Sequence, residues 1–321
     1  MMAPSMLRRW GVEHDFYEFF SLALSPAGLL LAGGRSISTG VGDDIHGVVA
    51  LWDPATGREV RRWDVASRAV TSVAFSPDGR LLAAVSRTPF RRLGAWKALT
   101  MWDLDGEREL ISPAGEIAAH SVAFSRDGTC LAIAGLGMTD TVVLLDAASG
   151  VEVQRLAGHV GGAGAVAFNR DGTLLATGGQ DEMLRIWELT EGREIAAHRG
   201  WRAVHAVAFA PDGASVAAGD AYGGVRVWDV ATGDERYSLF GPADHTAYSL
   251  AYNADGTLLA GAFGEEHDHR GAVLLWRFDT GNWRTTMAGA TGSVTYAVAM
   301  GPDGHTLASV GDADLELWDV R

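Results

Sequence analysis

The chain has 321 residues, of which 47% are hydrophobic and 21% are charged, so it can build a large core and is not a disordered, highly charged tail. Cys130 is the only cysteine, which excludes an internal disulfide framework and a cysteine-based zinc site. No apolar run reaches the ~18 residues that a membrane span needs. The first residues lack the apolar stretch of a secretory signal, so we expect a cytoplasmic protein.

The net charge of −14 is unevenly distributed. Residues 1–110 are electrically balanced, and residues 111–321 carry the whole acidic excess. Nucleic acids and anionic membranes both attract basic surfaces, so we expect neither as a partner. Lys97 is the only lysine among many arginines, a bias that indicates a bacterial source with a GC-rich genome.

In chain order, a short segment at residues 6–11 precedes a unit that is repeated seven times. Each copy contains an apolar run, a turn and a second apolar run, as in TSVAFSPDGRLLAAVS from Thr71, which predicts a β-hairpin. A glycine stands at every turn, at intervals of 41 to 51 residues: Gly28, Gly79, Gly128, Gly172, Gly213, Gly256 and Gly304. Intervals of this length are typical of propeller blades.

A third apolar strand follows each hairpin, and four of these strands end in a Trp-Asp pair: Trp52-Asp53, Trp102-Asp103, Trp228-Asp229 and Trp318-Asp319. The pair is altered at Leu145-Asp146, Trp187-Glu188 and Trp276-Arg277, and a Gly-His pair stands at Gly158-His159. A more polar fourth segment follows, for example at residues 58–65. This pattern resembles the WD40 family of β-propellers over essentially the whole chain. The resemblance implies an all-β fold, a seven-bladed β-propeller of four-stranded antiparallel blades.

The chain ends just after the third strand of the last repeat, while residues 6–11 resemble the fourth strand of the first repeat. We predict that this N-terminal strand completes blade seven and closes the ring, which hides two strand edges. The chain is then a single domain over residues 1–321. Its blades are predicted at residues 17–65, 68–114, 117–158, 163–200, 203–241, 246–288 and 293–321.

One position of the first strand is alanine in every repeat. A small side chain there lets neighbouring blades approach each other near the crowded axis. The column consists of Ala23, Ala74, Ala123, Ala167, Ala208, Ala251 and Ala299.

Blade four contains the full set of polar residues that, by family resemblance, ties a blade together: His159, Thr177, Asp181 and Trp187. The set is similar to a serine-protease triad in composition only, and we interpret it as a structural hydrogen-bond network. The sequence contains no phosphate-binding loop, no HExxH and no GxSxG motif. We therefore expect neither an enzyme nor a cofactor.

A second column of the first strand varies from repeat to repeat, and is expected to ring the upper mouth of the central channel. Its occupants are Phe20, Thr71, His120, Gly164, His205, Tyr248 and Tyr296. Trp201, in the link between blades four and five, is expected to border this ring. Such variation is typical of a recognition surface, and the alternative is a mouth that partly buried rings fill for structural reasons.

The loops between strands two and three are long in blades one, two and six, and family resemblance places them on the top face. The blade-two loop contains Phe90, Arg91, Arg92 and Trp96, a combination that suits docking of an acidic partner segment. The alternative is that its rings pack on the blade. The blade-six loop contains His267 and His269, which suit a divalent metal, and the alternative is a solvated polar loop.

Our leading hypothesis is a non-catalytic scaffold, monomeric on its own, that binds a protein or peptide on its top face. The alternative is a propeller that binds a metal or small ligand, and such a propeller could also be an enzyme. His120, His205, His267 and His269 would then contribute to a cluster of histidines and carboxylates.

Overall fold

The computed structural model describes residues 4–11, 17–28, 30–38, 45–65, 69–87, 99–105, 108–111, 119–135, 141–265, 270–278, 284–287, 294–311 and 314–321. Within these ranges no helix is long and apolar enough to cross a membrane.

The described strands are numbered in chain order from β1 (Ser5–Gly11). Blade one contains β2 (Tyr17–Leu24), β3 (Leu31–Ser38), β4 (Ile45–Trp52) and β5 (Glu59–Val65). Blade two contains β6 (Ala69–Phe75), β7 (Leu81–Arg87), β8 (Leu99–Asp103) and β9 (Arg108–Ile111). Blade three contains β10 (Ala119–Phe124), β11 (Cys130–Gly135), β12 (Thr141–Asp146) and β13 (Glu152–Ala157).

Blade four contains β14 (Ala163–Phe168), β15 (Leu174–Gly179), β16 (Met183–Glu188) and β17 (Arg193–Arg199). Blade five contains β18 (Val204–Phe209), β19 (Ser215–Asp220), β20 (Gly224–Asp229) and β21 (Glu235–Phe240). Blade six contains β22 (Thr246–Tyr252), β23 (Leu258–Glu265), β24 (Arg270–Arg277) and β25 (Arg284–Met287). Blade seven contains β26 (Thr295–Met300), β27 (Thr306–Gly311) and β28 (Asp314–Asp319), together with β1.

Each blade is a four-stranded antiparallel sheet whose strands lie side by side in chain order, except that β1 supplies the outermost strand of blade seven. The predicted seven-bladed propeller is therefore confirmed. Burial is greatest in the inner strands of a blade: every residue of the second strand β19 is buried, whereas the outermost strand β5 is mostly exposed and faces water with its polar side chains. The hairpin turns need positive φ, and the turn glycines supply it, as at Gly213 with φ of 72°.

The apolar core of the described residues consists of seven clusters, each shared by two consecutive blades. The cluster between blades five and six, for example, joins Val227 to Trp276 and Leu259. Ala208 of the alanine column belongs to this cluster, and each of the other six clusters has one alanine of the column packed against it. The small residue lies where two blades meet, and neighbouring larger side chains fill the rest of the interface.

The ring closes between blades seven and one. β1 pairs antiparallel with β28, as the sequence predicts, and Trp10 packs against the cluster that blades seven and one share. Gly57 of blade one makes room for this indole, because a Cβ there would lie 1.4 Å from Trp10 Nε1.

An ion pair also joins β1 to β28, the two strands that close the ring. Arg9 of β1 donates two hydrogen bonds to Glu316 of β28, of which the Nε–Oε1 bond is 2.7 Å long. The side chain of Glu316 is only 2% exposed, and the hydrogen bond and charge of this carboxylate raise the pKa of Arg9. A buried carboxylate needs a partner, and the N-terminal strand supplies one here.

Candidate functional site

A β-bulge occurs in the first strand of every blade, at the position of the variable column. In blade one, Phe19 pairs with Arg35 and Ser21 with Gly34, so Phe20 is left without a partner residue on β3. The other six blades skip one residue in the same way: Thr71, His120, Gly164, His205, Tyr248 and Tyr296. A bulge bends its strand and redirects the extra side chain, and bulges are frequent beside functional sites.

The seven bulged residues all line one cavity of about 700 Å³. Residues from the ends of second strands and from links between blades also line it, among them Glu265 at the end of β23 and Asp244 in the link before β22. This cavity is the upper mouth of the channel.

Four bulged residues form a continuous aromatic wall across blades five, six, seven and one. The ring centroid of Tyr296 lies 5.3 Å from that of Phe20 and 5.2 Å from that of Tyr248. The ring of His205 follows, 6.4 Å from Tyr248 and edge-on to it. Consecutive rings are tilted by 57° and 51°, so the wall is curved and its rings do not stack face to face.

The other half of the mouth carries smaller, polar side chains, and these join neighbouring blades. Thr71 Oγ1 donates to the carbonyl of Ala119 at 3.1 Å, and His120 Nδ1 lies 3.2 Å from the carbonyl oxygen of Gly164. Gly164 itself adds no side chain. The polar groups of this half are therefore engaged in holding blades two, three and four together, whereas the aromatic half presents ring surface to the cavity.

In blades one, two, three and six the residue that follows the bulge is a serine, and its hydroxyl connects neighbouring blades. Ser21 Oγ accepts a hydrogen bond from the backbone N–H of Val73 at 3.0 Å, and Ser72 Oγ accepts one from Val122 at 3.2 Å. These bonds fix the spacing of the first strands around the axis. The bulged side chains therefore stand on a rigid frame.

The lower mouth of the channel is lined by the hairpin turns and has a volume of about 1080 Å³. Val166 lines both cavities. Polar side chains of the hairpin turns bind within their own turns: Asp127 accepts from the N–H of Thr129, and Asn169 Oδ1 accepts from that of Leu174. We therefore take the upper mouth, where the side chains vary, as the candidate site.

Trp201 does not line the upper mouth. Its indole stacks on Phe240 with the centroids 5.1 Å apart, and the guanidinium of Arg226 lies 3.8 Å from the Trp201 ring centre. Gly224 provides the space, because a Cβ there would lie 2.3 Å from Trp201 Cε3. The expectation that Trp201 borders the ring is therefore wrong: the indole covers the start of β20 in a separate exposed cluster with Phe240.

Two groups of predicted residues lie outside the described residues. These are the blade-two loop residues Phe90, Arg91, Arg92 and Trp96 and the blade-six loop residues His267 and His269. The docking and metal-binding hypotheses for these loops stay predictions. Among the residues that the structure describes, no group of three or more His, Cys, Asp or Glu side chains is arranged to hold a metal ion.

The polar set of blade four forms a continuous hydrogen-bond chain. Trp187 Nε1 donates to Thr177 Oγ1 at 2.9 Å, and Thr177 Oγ1 lies 2.7 Å from His159 Nε2. His159 Nδ1 lies 2.8 Å from Asp181 Oδ1, and Arg185 donates to the other oxygen of Asp181 at 3.0 Å. Blade six differs: Trp276 Nε1 is buried without a partner, because Gly261 stands where a hydroxyl would be needed.

The ionisation of this chain follows from its burial. Burial lowers the pKa of His159, so the ring is neutral at pH 7, donates from Nδ1 and accepts from Thr177 at Nε2. Burial alone would raise the pKa of Asp181, but hydrogen bonds from His159 and Arg185 outweigh it and the pKa lies below its usual value. With these charges the polar hydrogens of Trp187, Thr177 and His159 each meet an acceptor, which suits a structural role.

Sequence reasoning missed two residues that matter for the site and its frame, and it considered Glu265 only as one of the carboxylates of the blade-six loop. Asp244 and Glu265 place carboxylates at the mouth, and Glu316 receives the N-terminal arginine. Of the two missed residues, only Glu316 is marked in the sequence, as an acidic residue inside the apolar strand LELWD.

Comparisons with known proteins agree with this architecture. The WD40 family model, "WD domain, G-beta repeat", matches residues 57–88, 150–188, 190–229 and 281–319. Protein groucho of Drosophila melanogaster is 29% identical over 163 residues, and Transducin-like enhancer protein 2 of Mus musculus is 28% identical over 163 residues. Each match covers 47% of this chain and 20% of the relative, so the chain spans about a fifth of those proteins. The chain therefore contains WD40 repeats at these four places, and it folds as a seven-bladed β-propeller.

Proposed function

We propose that this propeller is a non-catalytic platform that binds a protein or peptide at its upper channel mouth. The observation that carries the proposal is the bulged column: seven residues of five types, at bulges in their strands, line one cavity of about 700 Å³. A purely structural column would be expected to repeat, as the alanine column does. The propeller similarity to the two relatives supports a protein-binding role in general.

The aromatic wall is the part of the mouth best suited to bind a partner. Tyr248 and Tyr296 are half-buried, so each ring is held by its neighbours and still presents a face to the cavity. Rigid aromatic side chains give large contact area at low entropic cost, which is why they are enriched among residues that dominate binding energy. The acidic net charge favours a protein partner over nucleic acid.

The test compares partner capture by the wild-type chain and by a Tyr248→Ala/Tyr296→Ala variant, in pull-downs from the native cell followed by mass spectrometry. We expect the double variant to lose the captured proteins while its melting curve stays cooperative. Trp201→Ala is the matched control, because it removes an aromatic side chain that does not line the cavity. Capture that survives the double variant and fails in Trp201→Ala would place the interaction on blade five and refute the proposal.

A further inference from the structure

The aromatic wall has the geometry to attract a cation. Its rings follow one another at centroid distances of 5.3, 5.2 and 6.4 Å from Phe20 through Tyr296 and Tyr248 to His205. Their tilts make a curved surface, so a group in the cavity meets more than one ring. The face of an aromatic ring is electrostatically negative and attracts an ammonium or guanidinium group within about 6 Å of its centroid.

Carboxylates stand beside the same wall. Glu265, at the end of β23 in blade six, and Asp244, in the link between blades five and six, line the same cavity as Tyr248. Gly264 brings the Glu265 backbone close to this ring, because a Cβ on Gly264 would lie 3.1 Å from Tyr248 Cε2. The described residues that line the cavity include no lysine or arginine. The formal charge that these residues contribute to the mouth is therefore negative.

Arg270 reduces this negative charge only in part. Its Nη2 lies 3.5 Å from Glu265 Oε2, and its side chain is 62% exposed. An ion pair of this length in contact with water is weak and is screened by salt. Arg270 is not among the residues that line the cavity, so a ligand cation approaches Glu265 from the other side.

We propose that the upper mouth accepts an arginine or lysine side chain of a basic peptide. The cationic group lies against the wall of Phe20, Tyr296 and Tyr248, and Glu265 and Asp244 complement its charge. This inference rests on the proposed function, since it names the ligand of the same cavity. An acidic peptide meets repulsion from both carboxylates and gains nothing from the ring faces.

The test starts with a displayed library of random peptides selected on the purified full chain. Peptides that the wild type retains and the Tyr248→Ala/Tyr296→Ala variant loses are expected to be enriched in arginine or lysine. The best of them is then labelled, and its affinity is measured by fluorescence anisotropy, together with versions in which citrulline or glutamate replaces the basic residue. We expect both replacements to weaken binding at least about tenfold.

Three charge variants test whether the carboxylates at the mouth attract the basic peptide. Glu265→Gln/Asp244→Asn is expected to weaken binding of the basic peptide about tenfold, and Arg270→Gln to strengthen it about threefold, with both effects shrinking at high salt. Glu152→Gln on β13 is the matched control, because it neutralises an exposed carboxylate that pairs with Arg155 on the outer strand of blade three. It is expected to leave the affinity unchanged.

The outcomes separate this inference from the proposed function. Peptides that depend on Tyr248 and Tyr296 but are neutral or acidic, or that bind equally well after the charge changes, overturn the inference and leave the proposed function standing. A library that yields no peptide dependent on these two tyrosines contradicts the proposed function and the inference with it.

Discussion

Replacing Arg9 by methionine tests how the ring is closed. The substitution keeps an unbranched aliphatic stem and removes both hydrogen bonds to Glu316, whose carboxylate is 2% exposed and otherwise has Ser309 Oγ within 3.4 Å. Breaking a buried ion pair from one side costs 3–5 kcal/mol, and we expect about 3 kcal/mol here because Arg9 itself is 46% exposed. At ~2.1 cal/mol/K of unfolding entropy per residue, this loss lowers the melting temperature by roughly 4–5 °C.

The assay is thermal unfolding followed by circular dichroism, repeated with chemical denaturation. Arg62→Met is the matched control: Arg62 also lies on an outer strand, is 45% exposed and donates to Glu59 at 2.6 Å, but this carboxylate is not deeply buried. We expect a change below about 1 kcal/mol there. The double variant Arg9→Met/Glu316→Gln should recover most of the lost stability, since no buried charge remains. Equal melting temperatures for Arg9→Met and wild type would refute this account of the closure.

Three further results are expected. Thr177→Val leaves His159 Nε2 and Trp187 Nε1 buried without partners, so the free energy of unfolding should fall by about 3 kcal/mol in urea titrations. The control Thr232→Val, at an exposed threonine, should cost less than about 1 kcal/mol. Equal losses in the two variants would contradict the hydrogen-bond network. Because the pKa of His159 is lowered in the folded state, the unfolded chain takes up this proton first, and the free energy of unfolding should decrease as the pH falls below about 6.5, by up to ~1.4 kcal/mol per pH unit. His159→Gln should make that pH dependence shallower, and an unchanged slope would show that this histidine is not its source. Deletion of residues 1–12 exposes the edge of β28 and leaves Glu316 unpaired, so the melting temperature should fall well below that of Arg9→Met; an unchanged melt would show that β1 does not close the ring.

Much of the fold was predictable because it is periodic. The turn glycines, the alanine column and the Trp-Asp pairs repeat in one order, so a single blade deduced from the sequence gives all seven. The closure by β1 was predictable for a related reason: the last repeat lacks a fourth strand, and an unused segment resembles one. Such features depend on which residue types stand at fixed spacings, which a sequence displays directly.

The site was predictable only in outline. Aligning the repeats places Phe20, Tyr248 and Tyr296 in one column, but the bulge that redirects them depends on the pairing register of two strands and leaves no residue signature. The position of Trp201 depends on the missing side chain of Gly224 two strands away, a contact that spacing along the chain does not reveal. Asp244 lies at the mouth because of the path that the link between β21 and β22 takes, and the sequence does not predict this path.

The most direct measurement of the central claim is the position of a bound peptide on the propeller. A peptide selected on the wild-type chain is synthesised with a photoreactive side chain, cross-linked to the protein and mapped by mass spectrometry. The account predicts cross-links to the mouth around Phe20, Tyr248 and Tyr296. Cross-links concentrated at the hairpin turns of the lower face, near Arg126 and Arg170, or at the Trp201 and Phe240 cluster, would contradict it.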